Sequence, residues 1–220
     1  MKKYEKDTYK DGVAEKPIKR KYDEFYYSFL SPIQKQYYRK IYSELTNVNN
    51  KYLLGLSVEN NNVEMDLQKA IQAFRRDHVE IMYQLTGKYR LFWSSRTAVV
   101  VELDHYRYSG EFLPEDRVAQ IVKMASRYRT ELMQMAAVYE YFEENISIIE
   151  TPVEYPVLNA VVSEVTTIEG KYMMFTWVLR EMGIDCGIVY YRTGRMYCMV
   201  HLDIGCFPID FTKQTDHLQE

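Results

Sequence analysis

Ile168-Glu169-Gly170-Lys171-Tyr172-Met173-Met174-Phe175, running on through Val178-Leu179 to Gly183-Ile184-Asp185-Cys186, is the stretch whose reading decides the fold. Its apolar spacing predicts a helix that begins after Thr166 and ends at Gly183. Three short strand-like pieces follow: Cys186 to Tyr191, Arg195 to Leu202, and Cys206 to Phe211. Thr193-Gly194 and Ile204-Gly205 join them, and both are tight-turn dipeptides. The C-terminal part therefore reads as a helix followed by an antiparallel three-stranded meander.

Upstream, Ser31 and Pro32 supply an N-cap and a first turn, and Gln34 completes a capping box. Tyr38, Ile41, Tyr42 and Leu45 fall at i, i+3, i+4 and i+7, which makes one apolar face. Asn47, Asn49 and Asn50 end that helix. Leu53 to Val58 is an apolar piece of undetermined type, and Asn60, Asn61 and Asn62 form a loop. Asp66 is expected to cap a second helix with Leu67, Ile71 and Phe74 on one face; Asp77 to Leu85 either continues it or begins a new turn, and Gly87 stops it. Tyr89 to Ser94 and Thr97 to Tyr108 read as a strand pair, with Val99, Val101 and Leu103 alternating. Pro114 and Glu115 open a helical pattern that runs to about Asn145, read as one helix buried along one side or as a broken pair. Residues 148–165, with Pro152 and Pro156, read as a loop.

Hydrophobic residues make up 47% and charged residues 27%, with a net charge of -3, which is the balance of a globular protein and not of a phosphate-backbone binder. Nucleic acid is not an expected partner. The 21 tyrosines are expected in core and half-buried positions. Cys186, Cys198 and Cys206 include no CxxC pair, so neither a zinc site nor a disulfide framework is expected. The four histidines, His78, His105, His201 and His217, fall in no metal-ligand spacing. Paired acids such as Glu143 and Glu144 read as a solvated helix face. There is no P-loop, Rossmann glycine pattern or GxSxG, and no cofactor is expected. Residues 1–22 are charged and poor in large aliphatics, as in a disordered arm. The basic start is followed by no apolar run of signal-peptide length, and no stretch is apolar enough for a membrane span. The expected location is cytoplasmic, or extracellular or cell-surface if a leader has been removed.

The C-terminal helix and meander resemble the transglutaminase-like domain family of the papain-like cysteine-hydrolase fold. In that family a helix opens with Cys-x-Gly-Tyr-Ala, followed by a Phe, an aliphatic pair, Gly-Ile and often Cys. A strand then carries His-Ala-Trp-Asn, and the next strand ends in Asp-x-Thr. Here Gly170, Phe175, Val178-Leu179, Gly183-Ile184, Cys186 and Asp210-Phe211-Thr212 match at the family's spacing. Ala73 to His78 and Val138 to Phe142 add a softer likeness to bacterial members. The resemblance covers residues 25 to 215. It implies an α+β fold with a papain-like, transglutaminase-like core, a central helix packed on an antiparallel sheet, and an N-terminal helical region. The implied organisation is an arm at 1–22, an N-terminal helical and short-strand region at 23–113, and the core with its supporting helix at 114–215.

The family's chemistry requires a thiolate at the helix start, an imidazole within reach and a carboxylate that orients it. In this chain the thiol position is Ile168 and the imidazole position, counted back from Asp210, is Arg195. Only the carboxylate, Asp210, remains. Asp210 either pairs with Arg195 across adjacent strands or bonds a backbone turn. The resemblance gives Ile168, Gly170, Tyr172, Arg195, Tyr197 and Asp210 as a candidate binding set with no catalytic member. Cys186 is expected in the core. Cys198 and Cys206 are the alternative nucleophiles. Cys198 lies three residues before His201, so period 2 sends the two to opposite faces. Cys206 lies four before Asp210, at a position expected to pack. The expected function is a catalytically inactive pseudoenzyme that binds a protein or peptide or acts as a scaffold. The alternatives are an active cysteine protease or transglutaminase-type hydrolase with a relocated thiol, and a homo-oligomerising or complex-assembly protein.

Overall fold

The structure is a computed structural model that describes residues 24–47, 52–58, 62–82, 85–105, 113–153, 155–191 and 194–212. The expected arm at 1–22, Asn49, Asn50, Asn60, Asn61, Tyr108, Thr193 and His217 lie outside the described residues.

A 3-10 turn, Tyr26–Phe29, leads into α1, Pro32–Leu45. Ser31 Oγ accepts from Gln34 N and Gln34 Oε1 accepts from Ser31 N, so the capping box forms as the sequence predicts. Tyr38, Ile41 and Leu45 are buried, whereas Tyr42 is 37% exposed. The apolar piece that follows is a strand, β1, Leu53–Ser57. α2, Val63–Asp77, begins before Asp66, which corrects the expected cap. Asp66 sits buried in the first turn, where its carboxylate accepts from Gln34 Nε2 at 2.7 Å and faces the positive end of the helix dipole. The helix stops well before Gly87, with one further turn, α3, Val79–Met82. Gly87 instead lies within β2, Leu85–Ser95, which pairs with β3, Ala98–His105. This sheet is antiparallel in the order β1-β3-β2, and Val99, Val101 and Leu103 point inward with Leu54 and Leu56.

The long helical pattern is a broken pair: α4, Pro114–Ala125, and α5, Glu131–Asn145. Thr130 caps the second helix, its Oγ1 accepting from Met133 N, and Gln134 Nε2 ties back to Tyr128 O. The segment expected as a loop holds β4, Ser147–Ile148, then α6, Pro156–Ser163, and β5, Val165–Thr166. Pro156 opens α6 at its first position, where a missing N–H costs nothing.

α7, Ile168–Glu181, is the central helix, and every residue from Gly170 to Arg180 is buried. α4, α5 and α6 all pack on it. Gly183 then takes φ +81°, the left-handed conformation that ends helices. β6, Asp185–Tyr190, β7, Met196–Leu202, and β8, Gly205–Ile209, form an antiparallel meander. Cys186, Ile188, Cys198, Val200 and Leu202 face α7 and are buried. The fold is α+β, and one continuous apolar core runs through both three-stranded sheets.

A single charged side chain joins the two halves of that core. Arg180 is 4% exposed; its Nε donates to Cys186 O at 3.0 Å, and its Nη1 donates to Asp77 O at 2.6 Å and to Glu80 Oε2 at 3.3 Å. Burial acts to raise the Glu80 carboxyl, but the His78 hydrogen bond and the Arg180 charge outweigh it and hold the group below its ordinary 4.5. Glu80 therefore contributes stability that is full above 4.5 and is lost as pH falls through its lower folded value. Arg180→Met strands two buried carbonyls and one carboxylate, and is expected to cost about 3 kcal/mol in urea unfolding. The variant should also lose part of this acid sensitivity. A variant with wild-type stability would show that the guanidinium does not join the halves.

Candidate functional site

The start of α7 is fixed by its cap: Thr167 Oγ1 accepts from Gly170 N at 3.3 Å. Ile168, the first helical residue, is half-buried against the core. Gly170 is required by packing. A Cβ there would lie 2.1 Å from Thr166 Oγ1 and 2.6 Å from Pro156 O, so any side chain would push α6 off α7. One turn on, Tyr172 donates its hydroxyl to Asp210 Oδ1 at 3.4 Å and accepts from Phe211 N at 2.9 Å. Burial pushes the Tyr172 phenol up, and the Asp210 charge adds to this. Asp210 Oδ1 also accepts from Thr212 N at 2.9 Å and from its hydroxyl. Of the two readings for Asp210, the backbone turn is the one found.

The expected ion pair with Arg195 does not form among the described residues. Arg195 is exposed just before β7, where its carbonyl accepts from Tyr191 N at 2.9 Å. Tyr197 lies on the face of β7 turned away from α7 and packs edge-on against Tyr191 at 5.3 Å. The candidate binding set thus divides. Ile168, Gly170, Tyr172 and Asp210 gather at the start of α7, while Arg195 and Tyr197 do not join them.

The cysteines also separate. Cys186 and Cys198 are 0% exposed and share Thr176: the Cys186 thiol donates to its carbonyl at 3.5 Å, and Cys198 Sγ lies 3.3 Å from its hydroxyl. Burial pushes the Cys186 thiol up. Cys198, an expected alternative nucleophile, is sealed in the core. Cys206 is exposed, which corrects the expectation that it packs. His201 lies on the face opposite to Cys198, as period 2 requires, and is directly across β7–β8 from Cys206. Of the other described histidines, His78 meets the Tyr38 hydroxyl and Glu80, and His105 stacks on Tyr52.

Three groups near the start of α7 had no signal in the sequence. Lys171, 3% exposed, sets its Nζ 3.0 Å from Glu143 Oε1 on α5. Glu143 is itself only 10% exposed, so it is not part of a solvated face, and its Oε2 is buried with no hydrogen-bond partner among the described residues. Phe211 lies under the Lys171 ammonium at 4.8 Å and packs among Tyr139, Phe142, Tyr172 and Phe175. Glu169 accepts from the Tyr190 hydroxyl at 2.9 Å, and the Arg76 guanidinium lies over the Tyr190 ring at 3.9 Å.

Two depressions lie close by. One is lined by Arg75, Met82, Leu85, Tyr155, Pro156 and Met173 among others, and the second by Arg117, Val161, Val162 and Glu164. Neither is lined by Ile168, Arg195 or Asp210. Among the described residues no group of three His, Cys, Asp or Glu could hold a metal ion, and no helix is long and apolar enough to cross a membrane.

No family model matches the chain, and no curated protein matches it. Among solved structures, a "putative protease" from Parabacteroides distasonis is similar over 58% of this chain and 37% of its own, at 10% identity and a TM-score of 0.36. This chain therefore spans well under half of that protein, and a likeness so slight carries no argument.

The Lys171–Glu143 pair makes a direct test of what holds the α7 start to α5. Lys171→Met leaves a buried carboxylate alone and is expected to cost about 3–5 kcal/mol in chemical denaturation. The double variant Lys171→Met/Glu143→Leu, which removes both charges, should recover most of that loss. A single variant within about 1 kcal/mol of wild type would mean that water solvates the pair.

Proposed function

We propose that this chain is a transglutaminase-like module without catalytic activity at the start of α7, and that it binds a protein or peptide segment there. The observation that carries the reading is Ile168. It stands at the first position of a buried, capped helix, where the dipole would favour a thiolate, and it offers no nucleophilic atom. Asp210, the remaining member of the family's triad, is engaged by Tyr172 and Thr212. The surroundings suit contact more than chemistry. Val162 and Val165, 46% and 36% exposed, precede the helix beside the Arg117–Glu164 ion pair.

The test is selection from a displayed peptide library, with affinities measured for the retained sequences. Ile168→Glu, checked for folding by circular dichroism, should weaken those peptides tenfold or more. Retention of no peptide by the wild type, or equal binding by Ile168→Glu, would sink the reading.

A second reading, assembly of copies of this chain, rests on β2. It is an outer strand of its sheet, with Phe92 51% and Trp93 58% exposed. Long outer strands with apolar side chains pair readily with another chain. Light scattering should then show a dimer or larger species that Trp93→Lys converts to monomer. A monomeric wild type would remove this reading.

A further inference from the structure

The meander brings together a thiol, an imidazole and a carboxylate far from the α7 start. In β6–β7, Asp185 is paired directly with His201, and in β7–β8, His201 is paired directly with Cys206. Directly opposed residues of antiparallel strands point to the same face. The three side chains therefore form one row across the sheet, on the face turned away from α7. Their exposures follow the order the chemistry needs. The Asp185 side chain is 19% exposed, His201 is 46% exposed, and Cys206 is exposed.

We propose that Asp185, His201 and Cys206 form a nucleophilic thiol site that accepts an acyl group from an activated ester or thioester. The site goes beyond binding at α7 and shares no residue with it. His201 Nδ1 faces Asp185 Oδ2 at 3.9 Å, within ion-pair range, so a small side-chain adjustment lets the carboxylate orient the ring. With Nδ1 turned to Asp185, Nε2 is the ring nitrogen left to take the thiol's proton. Opposed Cβ atoms lie about 5 Å apart, so the register places the thiol on the strand next to the ring, within side-chain reach. The next row on the same face pairs Met199 with Pro208, a small apolar surface for the acyl chain.

The step balances with the residues present. The Cys206 proton passes to His201 Nε2, and the thiolate attacks the acyl carbon. A sulfur–carbon bond forms, the bond from carbon to the leaving group breaks, and His201 returns the proton to that group. Water or an amine, deprotonated by His201, then attacks the new thioester and releases Cys206 as the thiol.

The probe is p-nitrophenyl acetate, applied to the full chain, with release of nitrophenolate followed over pH and the acetylated peptide assigned by mass spectrometry. The buried Cys186 and Cys198 leave Cys206 as the one thiol open to reagent among the described residues. Acetylation at Cys206 is expected, at a rate at least tenfold above that of an unstructured cysteine peptide. Cys206→Ser should abolish it. His201→Asn and Asp185→Asn should each slow it tenfold or more, and His201→Asn should change the pH profile of the rate. A rate equal to that of an unstructured cysteine peptide would overturn the proposal. So would an unchanged pH profile in His201→Asn.

Discussion

A guanidinium cannot discard its charge, so a protein that buries one must build around it. Arg180 imposes that constraint here. Its donors reach the carbonyl of Asp77 at the end of α2, the Glu80 carboxylate on α3 and the Cys186 carbonyl on β6. The Asp77 carboxylate, beside that carbonyl, accepts from Tyr26 N, Tyr27 N and the Tyr38 hydroxyl. Burial pushes the Asp77 carboxyl up, and these bonds oppose the shift. The N-terminal turn, α1, α2 and α3 are thus registered against α7 and the meander around this buried charge, with Tyr26 and Arg76 adding contacts to β6. Such a charge contributes more to uniqueness of packing than to net stability, because its desolvation offsets much of what its partners return.

The opposite end of α7 is held by rings. Phe211 meets Tyr139, Phe142, Tyr172 and Phe175 at centroid separations of 5.2 to 6.2 Å. Aromatic pairs at such distances add to simple burial. Asp210-Phe211-Thr212 therefore anchors the last strand to α5 and α7: the carboxylate closes the turn and the ring fills the core. In this chain the Asp-x-Thr pattern has a complete structural account of its own.

Local signals carried the sequence reading where a residue's partner is near in the chain. Ser31 and Gln34 announce α1 because a capping box is complete within four residues, and Gly183 marks the end of α7 because only a left-handed residue fits there. The meander was legible from its turns and from alternation. The break between α4 and α5 was one of two open readings, because both helices turn apolar faces to α7 and the stripe continues across the interruption. Pro156 reads as a loop residue and as a helix opener equally well. Glu143 looked solvated because its partner, Lys171, is distant in sequence, and no periodicity reports such a pairing. The row of Asp185, His201 and Cys206 depends on the register of three strands, which spacing alone leaves open.

Tyr26 has a consequence for the protein's behaviour in a crowded solution. Its hydroxyl donates to Ile188 O at 2.9 Å and accepts from Tyr190 N at 3.2 Å, so a single phenol satisfies the two main-chain groups that β6 turns outward there. It stands in for a neighbouring strand. On the far side of the meander, Pro208 in β8 has no N–H to offer. The β6 edge is thereby covered at Ile188 and Tyr190 by the 3-10 turn at Tyr26–Phe29, and the proline makes the β8 edge a poorer template for another strand.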